Sequence, residues 1–573
     1  MPVEYKVPGV YIEEIPSGSR PIQGVGTAMP AFIGFTYTRP EGNTGQPVFV
    51  ASWNQFVEYF GTRRRVGADG KEIIDMNPFV PGFYLPYAVY GYFLNGGQSC
   101  YVQSLATVED ADRAAASMVS LTTLPAVSGA KALELRSRLQ GPNAKQITVR
   151  IEDAPVEPPP AEQPKGEAAQ EGAEPAAAAQ SAAPSSDQFK LTITGPDQVE
   201  EMYTNLTMGR SSKGARNVVE ALRDSKLVQV AELDASGSAA ERRPKNGVYQ
   251  LAPVYTQPIA TADTFKGDVT ERTGLGAFEE IPEITMMVCP DLMAVYERSR
   301  RTADDLAVLA GLQKELLAHC ANIKDRFAIL DAPPGMTVSE IRDYRINIAK
   351  FDTDTGKYGA LYYPWIQVVN PASSNGNGTS RIISLPPSGH IAGIYARVDQ
   401  ERGVHKAPAN EAIRGAVRLE RRLIDSEQRE LNPIGVNCIR EFPGRGILVW
   451  GARTLAEESS EWRYINVRRL FNFIEESIYE GTQWVVFEPN DMDLWERVKR
   501  TITAFLTRVW RDGALFGATP EEAFYVKCDA ELNPPEVRDA GQLIVEVGIA
   551  PVKPAEFVVF RFRQMSGGGE VTE

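Results

Sequence analysis

The chain opens with β-branched and aromatic residues in an extended pattern, Val7-Pro8-Gly9-Val10-Tyr11-Ile12-Glu13-Glu14-Ile15, and Pro8 and Gly9 disfavour a helix there, so a lone strand is predicted. The Gly/Pro/Ser-rich residues 16–26 read as a tether that carries this strand away from the body. A strand on a tether needs a sheet to join. From Met29 to Thr36 the pattern is that of a buried strand. A helix over 52–60 follows, with Ser52 as its N-cap, then an apolar helix from Tyr87 to Leu94 and a strand from Ser99 to Leu105.

Between 106 and 265 the pattern changes to short strands with one apolar face, among them Ile147–Ile151 and Phe189–Ile193. These two flank residues 154–186, which contain no Leu, Ile, Met or aromatic residue and cannot build a core, so a disordered loop at a hairpin tip is expected. An α/β rhythm resumes afterwards. Strands are expected over Glu283–Cys289, Arg326–Leu330 and Ala360–Val369, with helices over Thr302–Ala321 and Val338–Ala349 between them. Alternating strands and helices imply a mostly parallel sheet, into which the β-rich middle is inserted.

A further region opens near Pro386. It holds an amphipathic helix with Trp495, Val498, Ile502, Phe505 and Val509 on one stripe and Arg497, Lys499, Arg500, Arg508 and Arg511 on the opposite side. Two more strand signals close the chain, one over 543–549 with Val545, Val547 and Ile549, the other over 557–562 with Val558 and Phe560.

At 573 residues the chain is too long for one hydrophobic core, so three or more domains are expected. Its net charge of −14 argues against a general nucleic-acid or anionic-membrane binder, which needs a surplus of Lys and Arg. No signal peptide or apolar run of membrane-spanning length is read, which predicts synthesis and folding in the cytosol. The five cysteines show no CxxC spacing and suit neither a disulfide framework nor zinc. Three histidines leave little material for metal or acid/base chemistry.

Phosphate-loop, GxGxxG and HExxH motifs are absent. Asp331, in Asp331-Ala332-Pro333-Pro334-Gly335, reads as a turn former. Gly378-Thr379-Ser380 superficially offers a hydrolase nucleophile, but it lies in a polar loop with no helix pattern after it. His390 and His405 flank a predicted helix and suit packing or capping. Arg468 and Arg469 suit an ion pair within or between subunits better than a phosphate site.

Several long strings resemble the contractile tail sheath family. They are 386–399 (Pro386-Pro387-Ser388-Gly389-His390 through Asp399), 403–410, Leu431-Asn432-Pro433-Ile434-Gly435-Val436-Asn437, Val449-Trp450-Gly451-Ala452-Arg453-Thr454-Leu455 and Tyr464-Ile465-Asn466-Val467-Arg468-Arg469-Leu470. The opening Val7–Glu14 also matches. The resemblance covers essentially the whole chain and is densest from 386 to 560.

The resemblance implies an α/β and α+β multidomain chain. A subtilisin-like, non-catalytic α/β domain (27–105 and 266–371) carries the β-rich outer insertion (106–265). A conserved α+β C-terminal sheath domain (372–540) lies inside, and terminal strand arms (1–26 and 541–573) reach neighbours. Function is then structural: copies polymerise helically around an inner tube and contract to drive it through a target envelope, with Val10, Tyr11, Ile12, Ile15, Val545, Val547, Ile549, Val558 and Phe560 joining neighbours' sheets. Arg497, Lys499, Arg500, Arg508 and Arg511 are the expected tube contacts. Implied partners are further copies, the inner tube protein, and baseplate and terminator or cap proteins. No nucleic-acid contact, membrane insertion, cofactor, metal or enzymatic activity is implied. The particle would be assembled in the cytosol and become part of a phage tail or a released phage-tail-like device. A subtilisin-like hydrolase, or a tube or baseplate component, are the alternatives.

Overall fold

A computed structural model describes residues 21–66, 72–108, 119–139, 147–154, 187–196, 199–211, 214–233, 237–254, 262–299, 301–372 and 381–562. The expected N-terminal strand, Gly378-Thr379-Ser380 and all but Ala154 of the low-complexity stretch lie outside these residues. The chain divides into two compact units, one formed by Met1–Ala106 with Ala260–Glu573 and the other by Thr107–Ile259.

The larger unit is built on a nine-stranded mixed sheet. Its order is Val48–Val50, Cys100–Thr107, Pro30–Thr36, Met286–Val288, Phe327–Asp331, Gly359–Tyr363, Val436–Phe442, Gly446–Val449 and Glu411–Ala412. From Pro30–Thr36 to Val436–Phe442 neighbouring strands run parallel, and the pairs at both margins are antiparallel. The central strands are apolar over most of their length because helices cover both faces, and Pro30–Thr36, Phe327–Asp331 and Gly359–Tyr363 are buried at every position. This sheet crosses the boundary expected at residue 371, since Leu361–Tyr363 pairs with Val436–Cys438. A cut there would divide one hydrogen-bonded layer. The mixed apolar and polar sequence of Val436–Phe442 gives no period-two signal for this strand.

Helix α1 (Trp53–Gly61) starts at Ser52, whose side chain accepts from the Gln55 amide at 3.3 Å. Helix α2 (Leu85–Leu94) is apolar nearly all round, and α3 (Ala303–Ile323) opens with a capping box between Thr302 and Asp305. Helix α4 (Ser388–Arg402) lies against α2 at backbone contact. A Cβ on Gly389 would overlap the Ala88 main chain, one on Gly393 the Tyr92 carbonyl, and one on Gly91 the His390 ring. Small residues let the two helices approach this closely. Asn95, fully buried at the end of α2, then bonds the Arg414 amide and carbonyl at 2.9 and 3.1 Å.

Two buried carboxylates hold the N-termini of α2 and α4. Asp291 accepts from the amides of Phe35 (2.7 Å), Tyr84 (2.5 Å) and Leu85 (3.2 Å). Asp331 accepts from the Ser388 amide (2.8 Å) and hydroxyl (2.5 Å). The turn role expected of Asp331 is therefore corrected: it ends a buried strand and satisfies orphan donors of the helix that starts above it. Burial pushes the Asp331 carboxyl up to about 7, outweighing the two Ser388 bonds. With its folded pKa above the ordinary 3.8, its contribution to stability is fully present below that value and is lost as pH rises through about 7. Asp331→Asn should therefore gain on the wild type by on the order of 1–3 kcal/mol between pH 5 and pH 8. Urea unfolding at both pH values measures this, and a pH-independent difference would contradict it.

The histidines act in packing. His390 is buried against α2, and desolvation pushes it down to about 4, so it is neutral at pH 7. His405 is half-buried, and its pKa is lowered by burial and by Arg402. All five cysteines are free and buried.

In Thr107–Ile259 two antiparallel-rich sheets share one core. The five-stranded sheet contains Thr148–Asp153 paired with Gln188–Thr194, and the four-stranded sheet contains Lys131–Ser137. Val149, Ile151, Phe189, Leu191 and Ile193 from the first meet Leu133 and Leu135 from the second.

Candidate functional site

The C-terminal region of the larger unit holds most of the residues singled out from the sequence. Helices α5 (Ile465–Gly481) and α6 (Met492–Arg511) enclose a core of Leu470, Ile474, Trp495, Val498, Ile502 and Phe505, which Ile22 enters from the N-terminal side. The predicted apolar stripe of α6 is buried along its length. Asp491 caps the helix by accepting from the Leu494 amide at 2.8 Å.

The cationic side of α6 is not uniform. Arg497 pairs with Glu488 at 3.0 Å and lies over the Trp484 ring, and Lys499 lies 3.7 Å from Glu496. Arg508 donates to the Ile22 carbonyl, which ties the start of the described chain to this helix. Among the described residues Arg500 and Arg511 are exposed and have no ion-pair or hydrogen-bond partner. The five cations expected to act together thus divide into three engaged within the chain and two that face outward.

Arg469 on α5 donates to Asp399 on α4 through two bonds of 2.9 and 2.6 Å, donates to the Thr27 carbonyl at 2.9 Å, and lies over the Tyr395 ring. Both members of the pair are nearly inaccessible. Burial alone would lower the Arg469 pKa, but Asp399 holds it above its ordinary value. Arg468 bonds Asn472 at 2.7 Å and Glu475 at 3.1 Å and lies over Trp462. Both arginines make their ion pairs within the chain.

The C-terminal strand signals have different fates. Glu546–Ile549 pairs antiparallel with Phe524–Lys527, and Val545, Val547 and Ile549 pack in part against the α5–α6 core. Val545, Val547 and Ile549, expected to join a neighbour's sheet, thus lie on or beside a strand that is paired within its own chain. Its partner, Phe524-Tyr525-Val526-Lys527, lies about twenty residues upstream and is too short to announce itself as a strand. Val558 and Phe560, by contrast, belong to irregular backbone. Phe557, Val558, Val559, Phe560 and Phe562 are 68–93% exposed, and among the described residues 557–562 make no hydrogen bond.

Just before this run the chain is firmly held. Val552 donates to the Ala514 carbonyl at 3.2 Å and accepts from Asn466 at 3.0 Å. The Glu556 carboxylate accepts from Arg453 Nε (2.9 Å) and Nη2 (2.8 Å), from Asn432 Nδ2 (2.6 Å) and from the Tyr464 hydroxyl (3.0 Å). Burial would raise its pKa, but the Arg453 and Asn432 bonds outweigh that and hold it below the usual carboxylate value. Sequence reasoning missed this site. Its parts were in view, because Asn432, Arg453 and Tyr464 each fall in a different string quoted above, yet nothing in the sequence said that the three meet.

Among the described residues no group of three or more His, Cys, Asp or Glu is placed to hold a metal ion, and no helix is long and apolar enough to cross a membrane. Ser388, the hydroxyl nearest a buried carboxylate, is itself fully buried.

This multidomain mixed α/β architecture is shared with known assemblies. The chain superimposes on a subunit of the anti-feeding prophage baseplate in its contracted state with a TM-score of 0.55 at 20% identity, over 97% of each chain. It superimposes on a subunit of the anti-feeding prophage helical sheath in its contracted state with a TM-score of 0.51 at 24% identity, over 98% of this chain and 99% of that one. Residues 279–455 match the phage tail sheath protein central domain and residues 457–565 the phage tail sheath C-terminal domain. The tail sheath protein of Vibrio phage KVP40 is 26% identical over 47% of this chain and 42% of its own length, and that of Escherichia phage P2 is 23% identical over 63% and 84%. The chain thus spans less than half of the KVP40 relative. Over 279–455 and 457–565, then, the chain is similar to the central and C-terminal domains of phage tail sheath proteins.

Proposed function

We propose that this chain is the structural subunit of a contractile sheath, which polymerises helically around an inner tube and shortens to drive that tube through a target envelope. The observation that carries this reading is the succession of the sheath central and C-terminal domains over 279–565. The exposed run Phe557–Phe562 supports it, because contiguous outward apolar side chains on a soluble chain favour association, here with a second copy. Strand exchange by residues 7–15 and 557–562 would link copies through main-chain hydrogen bonds, each worth roughly 0.5–1.5 kcal/mol net. The larger unit would hold a subtilisin-like, non-catalytic α/β layer, with its C-terminal region against the tube. The stored energy is the difference between two packings of rigid subunits, released from a baseplate, with a cap protein closing the far end. The particle is a phage tail or a phage-tail-like injection device.

Negative-stain microscopy of the purified chain tests the reading. Wide, striated hollow cylinders are expected, and monodisperse particles under all assembly conditions would refute it. For the tube contact, Arg500→Glu with Arg511→Glu is the informative reversal, because Arg508 also holds Ile22. Tube co-purification should fall about tenfold and recover at lower ionic strength less than in the wild type. Unchanged co-purification would move the contact off α6.

A further inference from the structure

The C-terminal segment changes from firmly held to free at one residue. Up to Val552 it bonds to the body through Ala514 and Asn466, and at Glu556 charge-assisted bonds from Arg453, Asn432 and Tyr464 converge on one carboxylate. From Phe557 onward, among the described residues, no hydrogen bond is made and the apolar side chains face outward.

The receptor for Glu556 is rigid. Arg453 is 4% exposed, and its main chain is fixed in both directions by the fully buried Asn437, whose Oδ1 accepts from the Arg453 amide at 2.8 Å and whose Nδ2 donates to the Arg453 carbonyl at 2.7 Å. Tyr464 lies opposite Arg453 in an isolated β-bridge, so the phenol and the guanidinium are aligned by backbone pairing. Asn432 sits in the short helical turn Asn432–Ile434. The remaining guanidinium bonds go to the Asn432 carbonyl (3.3 Å) and to the largely exposed Glu458 (3.0 Å). Without Glu556, a nearly buried cation would keep only these weaker partners. A fork–fork arginine–carboxylate pair fixes direction as well as position.

We infer that Arg453, Asn432 and Tyr464 form a carboxylate clasp that sets where and in which direction the C-terminal segment leaves its own subunit, and that Glu556 is a positioning residue for the contact made by Phe557–Phe562 with a second copy. This rests on the sheath reading above. A strand can add to a neighbour's sheet only in register, and a one-residue slip turns every side chain to the wrong face. A root that can wander by a residue would spread the docking register. One held by a bidentate pair would not.

The test uses the full-length chain with Glu556→Gln, Glu556→Ala and the conservative Glu556→Asp. Amide hydrogen exchange of the unassembled protein is read over 550–562, thermal unfolding reports on the body, and negative stain reports on the polymer. For Gln and Ala we expect exchange of 552–556 to accelerate at least tenfold, the unfolding temperature of the body to fall by no more than a few degrees because Arg453 keeps Glu458 and the Asn432 carbonyl, and cylinders to become few and irregular, with Asp between these and the wild type. Unchanged exchange in both variants overturns the clasp. Accelerated exchange with cylinders as regular as the wild type overturns its positioning role. Loss of cylinders with a fall in unfolding temperature of more than about ten degrees would assign Glu556 to general stability and also overturn it. If the wild-type chain itself forms no cylinders, the sheath reading falls, and the exchange data alone decide whether Glu556 holds the root.

Discussion

Arg469→Met should destabilise the larger unit by about 3–5 kcal/mol, because it leaves Asp399 buried without its counter-charge. The cost comes from desolvation more than from lost attraction: a carboxylate 3% exposed cannot recover water when the guanidinium is removed. Adding Asp399→Leu should restore most of the loss, since exchanging a whole buried pair for apolar residues of similar volume is often neutral. Urea unfolding of the two single variants and the double variant measures this as a coupling energy. Additive effects would mean that Asp399 finds another partner.

Removing residues 1–15 should abolish cylinder formation altogether while leaving a folded subunit. If the strand predicted over Val10–Ile15 adds about five main-chain bonds to a neighbour's sheet, each junction loses on the order of several kcal/mol, and every subunit in a helical lattice loses it at once. Circular dichroism should match the full-length chain, and light scattering with negative stain should show no polymer. Cylinders from the shortened chain would place the linkage elsewhere, the exposed Phe557–Phe562 run being the next place to look.

Much of the fold was legible because buried parallel strands write themselves as unbroken apolar runs. Pro30–Thr36, Phe327–Asp331 and Gly359–Tyr363 fall where the pattern places them, as do the capped starts of α1 and α3. Strands that the pattern does not announce, among them Val48–Val50, Val436–Phe442 and Phe524–Lys527, are short or half-polar. The α6 stripe was legible from its period alone. The fate of its cations was not, because periodicity shows which side a charge occupies and not whether Glu488 or the Ile22 carbonyl waits there. Asp331 shows the same limit. A carboxylate beside Pro and Gly suggests a turn until the helix beginning at Ser388, more than fifty residues later, is placed above it.

The buried thiols bear on how such a subunit can be used. Desolvation pushes Cys320 and Cys438 up to about 12 and moves Cys100, Cys289 and Cys528 in the same direction, so each carries little thiolate, the form that attacks disulfides. In a polymer of many copies a single reactive thiol per subunit would become a lattice of potential cross-links. With all five withdrawn, a polymer of this chain would pass from a reducing medium to an oxidising one without its subunits locking together, and any rearrangement would be insulated from the redox state of its surroundings.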